Sequence, residues 1–328
     1  MITEITINSL VNFSPEISLF SMATIILMAG IFKFSEKYVF HLTVFSIIFA
    51  FLLGFQNYSS ETISIFNESI IKSEVTDLFK FLCYFVFLIQ ILVSKNYLKN
   101  KNLISGEFYS LLVFALIGCL IIISSNNLIV LFLGIELSSL SLYSLIALNR
   151  SSFLSSEAAV KYFVLSTIAS GIILFGFSYL YGITGTLYIE DIAKFSVSNK
   201  TANLYLFSYV LIFIGVAFKF AVAPFHMWLP DVYEGAPLPI TNFIASVPKI
   251  AFFVLAYRFL YSNPIINDEN FSSFLLFLGV FSILIGNLYA LAQKKIMRML
   301  AYSGVANAGF IFLAIFSAFS NNFSIAAF

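Results

Sequence analysis

The sequence predicts an all-α polytopic membrane protein. Its 328 residues are 60% hydrophobic and 10% charged, with a mean hydropathy of +0.99. A soluble domain is about half apolar and about a quarter charged. Ten stretches approach the length of about 20 apolar residues that a membrane span needs: 15–34, 38–57, 75–94, 107–124, 127–148, 158–182, 204–224, 238–261, 271–292 and 296–319. An eleventh begins near Asn322. The longest polar connections, 58–74 and 184–203, leave no room for a soluble domain.

The first apolar run has no signal-peptide cleavage site and reads as a retained span. Lysine and arginine placement orients the chain. With the N-terminus outside, the inner connections hold Lys33, Lys37, Lys95, Lys99, Lys101, Arg150, Lys294, Lys295 and Arg298; the outer side holds only Lys72, Lys194, Lys200 and Arg258. A net charge of +1 gives no electrostatic signal for nucleic acid. Cys83 and Cys119 sit in separate apolar runs without metal-ligand spacing and read as packed thiols. No Gly-rich phosphate loop, CxxC or paired-histidine haem arrangement occurs.

Spans three, five and six carry charge inside apolar text. Asp77 and Lys80 in span three are an interfacial pair or members of a polar chain. Glu136 lies mid-span in LFLGIELSSLSLYSL, with Ser139, Tyr143 and Ser144 at +3, +7 and +8. That spacing defines one polar helical face, expected to point into the bundle. Glu136 is either a titrating carboxylate or one tied to a neighbouring helix. Glu157 and Lys161, spaced i,i+4 at the start of span six, form an ion pair, and Lys161 is close enough to the core to join a polar relay.

Spans seven and eight carry the strongest signal. In FKFAVAPFHMWLPDVYEGAP (218–237), Lys219 stands five residues before a helix break at Pro224. An intramembrane lysine points to function, and irregular backbone at membrane depth survives only when buried in protein or lining a wet cavity. Six of the seven prolines (Pro224, Pro230, Pro237, Pro239, Pro248 and Pro264) fall within one 41-residue window, 224–264. Interrupted apolar segments of this kind point to a transport site. Lys249 lies halfway along span eight, after Pro248, with Asn242 and Ser246 on its face at −7 and −3. It is too far from either end to snorkel to the interface. His226 is a candidate proton relay or a partner for a freed carbonyl. Trp228 reads as a packing or interfacial anchor, and Asp231 and Glu234 as solvated loop residues. Beyond the basic edge Gln293–Arg298, Ser303 and Asn307 are expected to continue a polar line inward along span ten.

A buried lysine and a mobile carboxylate suit proton transfer. A carboxylate that approaches favours Lys⁺, and one that withdraws releases the proton. Two pKa units are worth about 2.7 kcal/mol, and moving one charge across about 100 mV costs about 2.3 kcal/mol. The two energies match.

Four segments together resemble the subunit N family of proton-translocating NADH-quinone oxidoreductase, respiratory complex I, whose mitochondrial counterpart is NADH dehydrogenase subunit 2. They are LFLGIELSSLSLYSLIAL (131–148), EAAVKYFVLSTIASGIILFGFSYLYGITGT (157–186), FKFAVAPFHMWLPDVYEGAPLPITNFIASVPKIA (218–251) and QKKIMRMLAYSGVANAGF (293–310). The third is the most specific. The resemblance implies an antiporter-like fold with two inverted five-helix repeats: N-terminal helices at 1–106, a complete repeat at 107–261 (spans four to eight) and an incomplete inverted repeat at 262–328. It implies that Glu136, Lys219 and Lys249 transfer protons, with His226, Lys161, Ser303 and Asn307 as candidate relay positions. It also implies that this chain binds no cofactor or metal. NADH, FMN, iron–sulfur clusters and quinone belong to the rest of the complex. The implied partners are other membrane-arm subunits, including sister antiporter-like subunits, and the lipid bilayer. The implied setting is the bacterial cytoplasmic (inner) membrane, N-terminus outside, or the mitochondrial inner membrane.

Two departures stand out. Asn307 occupies a position where family members commonly carry a titratable histidine. The chain also ends in span eleven, without the second repeat's lysine near the outer exit, so a C-terminally truncated form is expected. The competing functional readings are a subunit of a multisubunit cation/proton antiporter and a non-pumping remnant.

Overall fold

The computed structural model describes residues 7–32, 34–101, 105–149, 151–195, 202–260, 263, 265 and 268–319. The expected start of an eleventh span near Asn322 lies outside them, as do Arg150, Lys33, Lys200 and Pro264. Among the described residues, ten helices are long and apolar enough to cross a membrane: α2 (Ser14–Ile31), α3 (Glu36–Gln56), α4 (Glu74–Asn100), α5 (Gly106–Ser124), α6 (Leu128–Ile146), α7 (Phe153–Thr184), α9 (Ala202–Phe220), α11 (Leu238–Leu260), α12 (Glu269–Ala292) and α13 (Ile296–Phe319). The chain is a multi-span membrane protein. Short helices α1 (Ile7–Asn12), α8 (Ile189–Ala193) and α10 (Trp228–Gly235) join them.

The sequence reading had no strand, and the structure adds one hairpin. Strands β1 (Ile63–Ile65) and β2 (Ile70–Lys72) pair antiparallel, Ile63 opposite Lys72 and Ile65 opposite Ile70. Their turn holds Phe66, Asn67 and Glu68 at φ 52, 54 and 62°, a left-handed run that only Asn among the three takes readily. Outside contacts hold it: the Asn126 side chain donates to Glu68 O at 3.0 Å, and the Asn126 amide to Ser69 O at 2.8 Å.

The chain forms two compact units, residues 1–155 with 237–254, and residues 156–236 with 255–328. In the first, α5 is buried along almost its whole length. It meets α2 at a glycine pair: a Cβ on Gly30 would stand 2.7 Å from the Gly106 Cα. Backbones this close exclude any side chain, which is how small residues pack membrane helices without a hydrophobic drive. Both cysteines are buried and free, and Cys119 Sγ lies 3.7 Å from Ser138 Oγ.

Charge in this unit is paired in a pattern the sequence did not give. Asp77 and Lys80 turn to different partners. Lys80 Nζ donates to Glu16 Oε1 of α2 at 2.6 Å, with the glutamate side chain 2% and the lysine 11% exposed. Asp77 lies 3.7 Å from Lys72 of β2, whose ammonium also donates to the Asn57 carbonyl. Burial pushes the Lys72 ammonium below the usual lysine range, against the pull of Asp77. Glu16 and Asp77 lie in or next to the first turn of their helices, where the helix dipole favours a carboxylate.

In the second unit the backbones of α7 and α9 approach at Gly215, where a Cβ would overlap the Ile173 side chain. Trp228 packs between Tyr162 and Phe218, ring centroids 4.7 and 5.5 Å away.

The Glu16–Lys80 pair gives a test of how charge is tolerated here. Glu16→Leu leaves a buried ammonium without its carboxylate and should cost about 3–5 kcal/mol. Replacing both residues with leucine should recover most of that loss. Thermal unfolding of the detergent-solubilised protein reads the difference; equal midpoints for the single and double variants would refute the pairing.

Candidate functional site

The expected break after span seven begins earlier than Pro224. Helix α9 ends at Phe220, and Ala221 takes φ +61°. Proline lacks the N–H that would continue the ladder, and it disfavours helical backbone at the preceding residue. The helix therefore unwinds before the proline rather than at it. A non-glycine residue in the left-handed region costs roughly 1–2 kcal/mol. Alanine, with the smallest side chain that carries a Cβ, occupies this completely buried turn.

Several of the freed backbone groups find new partners. Val222 N donates to Ala217 O at 2.8 Å and Ala221 N to Phe218 O at 2.9 Å. Trp228 Nε1 adds a second bond to Phe218 O at 3.0 Å. Ala223 N donates to Ser282 Oγ of α12 at 2.8 Å, and that hydroxyl donates to Leu278 O. The irregular backbone at 221–223 is thus sealed within protein, and the chain becomes exposed at Pro224.

Lys219 is the penultimate residue of α9 and only 7% exposed. Its Nζ donates to Ser166 Oγ of α7 at 2.7 Å. It does not snorkel. The ammonium sits at the C-terminal end of its helix, where the dipole favours a cation. Ser166 went unnoticed in the sequence because a serine in an apolar helix commonly bonds its own backbone.

His226 follows the break. Its ring lies 6.0 Å from that of Tyr302, and among the described residues its buried Nδ1 has no hydrogen-bond partner. Burial pushes the imidazole below the usual histidine range, against the opposing pull of the Pro224 carbonyl.

Asp231 and Glu234 lie on helix α10 rather than in a solvated loop, and they bind cations from two other elements. Lys161 of α7 bridges Glu157 at 2.7 Å and Asp231 at 2.8 Å. Arg298 of α13 reaches Asp231 at 3.0 Å and Glu234 at 2.9 Å. Lys295 completes the run on Glu234. Six alternating charges therefore link α7, α10 and α13. Lys161 is 43% exposed, so each of its pairs contributes about 0–1 kcal/mol, and the run matters as a network.

The other expected line does not form. Ser303 and Asn307 are exposed. The buried face of α13 is instead apolar: Ala301, Val305, Ala308 and Phe312. The i,i+4 spacing sets which residues share a face, but spacing alone does not say which face a helix buries.

In the first unit, Glu136 is half-buried on α6, and its Oε1 is buried with no hydrogen-bond partner among the described residues. Ser139 and Tyr143 are buried beside it, as the polar face required. Ser144 is exposed, its hydroxyl donating to Leu140 O at 3.3 Å. Lys249 is half-buried on α11, which runs on through Pro248. Gln90 of α4, which the sequence reading passed over, donates to Asn242 O and Ser246 Oγ on that helix. Among the described residues no group of three or more His, Cys, Asp or Glu side chains is placed to hold a metal.

Glu234 gives the charge cluster a pH signature. Hydrogen bonds from Lys295, then from Arg298, hold its carboxyl below the usual glutamate range. A depressed acid stabilises the fold above its unfolded pKa and loses that contribution as pH falls through the folded value. Resistance of α10 to limited proteolysis should therefore be constant above about pH 4.5 and fall below it. Glu234→Gln should flatten the profile; an unchanged profile would rule the cluster out as its source.

The family profile described as NADH:quinone oxidoreductase/Mrp antiporter, TM matches residues 125–328. The chain is 38% identical to NADH-quinone oxidoreductase subunit N of Nitrosomonas europaea over 96% of its own length and 66% of that protein's. It is 40% identical to the subunit N of an Azoarcus species over 93% of its length and 62% of that protein's. It thus spans a little under two thirds of these relatives. Among solved structures, a chain of respiratory complex I from Thermus thermophilus superposes with TM-score 0.78 and 29% identity, over 92% of this chain and 64% of the other. A chain of an archaeal membrane-bound sulfane sulfur reductase gives 0.77 and 25%, over 93% and 64%.

Proposed function

Because the chain belongs to the NADH:quinone oxidoreductase/Mrp antiporter transmembrane family, we propose that it is a proton-translocating membrane subunit of an NADH-quinone oxidoreductase, of the subunit N type. One observation carries the reading: Lys219, sealed inside the protein at the end of a broken helix, with its ammonium on Ser166. A charge held away from water is costly, and its presence here calls for a role. The proposed role supplies the reason.

In this reading the chain takes protons from the inner side, holds them at Lys219 and Lys249, and passes them outward. Glu136 modulates the charge on the path. Its Oε1, without a hydrogen-bond partner among the described residues, is available to accept one from a water or a cation. His226 and Lys161 stand toward the inner mouth. Electron transfer from NADH to quinone, with its flavin and iron–sulfur centres, takes place in other subunits. The partners are membrane-arm subunits, including sister antiporter-like chains. The complete repeat comprises residues 107–261.

The setting is a bacterial cytoplasmic membrane with the N-terminus outside. The relatives named above are bacterial, and the basic residues concentrate on the inner connections. Lys72, one of the few basic residues outside, is buried and paired, which sharpens that asymmetry.

Lys219→Ala in the assembled complex should lower proton-coupled quinone reduction at least about tenfold, equivalent to about 1.4 kcal/mol. Glu136→Gln, which keeps the shape and removes the charge, should have a smaller effect. Wild-type rate and proton-to-electron ratio in Lys219→Ala membranes would sink the proposed role. The family description also names the Mrp antiporter, and the competing reading is a cation/proton antiporter subunit. Growth rescue of an antiporter-deficient strain on high sodium by this chain and its neighbours, without quinone reductase activity, would favour that function instead.

A further inference from the structure

Gln90 lies in FVFLIQILVSK (85–95), inside α4, the last membrane helix before the proposed repeat. A primary amide offers two donors and an acceptor with two lone pairs, and lipid satisfies none of them. Here Nε2 donates to Asn242 O at 2.9 Å and to Ser246 Oγ. A backbone carbonyl only accepts, so this contact fixes which end of the amide is nitrogen. The oxygen is therefore placed as well. Oε1 is buried, and among the described residues it has no hydrogen-bond partner. An unsatisfied buried acceptor costs about 1–3 kcal/mol. A simple strap between two helices needs only the nitrogen, so the oxygen calls for a separate reason.

The residues held by Gln90 supply it. Asn242 and Ser246 precede Lys249 by seven and three positions, on the same face of α11. Pro248 removes one backbone donor between them and the lysine, leaving the carbonyl of Ile244 without its i+4 partner. Helix α11 is thus least supported by its own ladder one turn before Lys249, and Gln90 grips it there from another helix. Ser246 Oγ also donates to Asn242 O at 2.9 Å, so the carbonyl, hydroxyl and amide form one closed polar patch.

We propose that Gln90 is a positioning residue for Lys249: its nitrogen fixes the turn of α11 that precedes the lysine, and its oxygen accepts a hydrogen bond from the water or ammonium through which Lys249 exchanges its proton. This rests on Lys249 being a proton carrier, as proposed above. It brings a helix outside the five-span repeat into that repeat's central site.

The test compares two variants of nearly the same size in the assembled complex in native membranes, normalised to NADH oxidation by a soluble artificial acceptor. Gln90→Met removes donor and acceptor. Gln90→Glu keeps an acceptor oxygen and, when protonated, a donor for the Asn242 carbonyl. The expected result is a several-fold fall in kcat for proton-coupled quinone reduction in Gln90→Met, an unchanged KM for quinone, and substantial rescue in Gln90→Glu. A packing role predicts the reverse order, because methionine suits an apolar helix better. Methionine performing as well as glutamate, or both variants falling equally, overturns the proposal. If Gln90→Met does not assemble, Ser246→Ala, which removes one of the two contacts, should lower kcat in the same way with KM unchanged; wild-type kcat there also overturns it. Lys249→Ala separates the two levels. Full coupled activity in that variant overturns the reading of Lys249 itself, whereas loss there with wild-type behaviour in Gln90→Met overturns only the role of Gln90.

Discussion

A membrane helix that stops inside the protein exposes carbonyls that lipid cannot satisfy, and the end of α9 is arranged around that constraint. Its last turns hand their carbonyls to Ala221, Val222 and the indole of Trp228, while the next free amide goes to Ser282. The indole comes from α10 and the serine hydroxyl from α12. The break therefore holds only because α10, α12 and α9 pack together, and it gives that unit a reason to be rigid. The same arrangement makes room for Lys219. An ammonium at a helix C-terminus meets partial negative charge, so the termination that is costly for the backbone lowers the cost of the buried cation.

The chain handles its remaining charges in two ways. In the first unit, Glu16–Lys80 and Lys72–Asp77 are removed from water and compensated pairwise. Such pairs contribute little net stability, yet neither partner can be removed alone. In the second unit, the run from Glu157 to Lys295 stays partly solvated. Its links are individually weak, which suits elements that must stay associated without being locked. Glu136 belongs to neither set, and like Asp77 it has a buried oxygen without a hydrogen-bond partner among the described residues.

Much of the site was legible from residue type and position. Lysine at mid-span is so costly that its presence in FKFAVAPFHMWLP is informative without coordinates, and Lys219 is indeed buried. The break was legible too, because proline has a single backbone consequence. Other features were misplaced. Ser303, Asn307 and Ser144 share helical faces with polar or small residues, and periodicity fixes which residues share a face but not which face is buried. Ser166, Gln90 and Glu16 matter through partners more than 50 residues away in the chain, and no local pattern marks such contacts. The hairpin at 63–72 escaped notice because its turn requires three consecutive left-handed residues that no local preference would choose.

The sequence by itself determined the solvent this protein lives in, the number and approximate limits of its spans, the place where one helix fails, and the titratable groups held at membrane depth. These follow from transfer cost and backbone chemistry, which are properties of each residue or short segment alone. Tertiary structure alone decided the partners: that Lys219 rests on Ser166, that Asp77 and Lys80 part company, that Asp231 and Glu234 bind cations from two helices, and that Gln90 grips the turn before Lys249. A hydrogen bond or ion pair depends on a few tenths of an ångström between groups distant in the chain, and only packed helices set that distance.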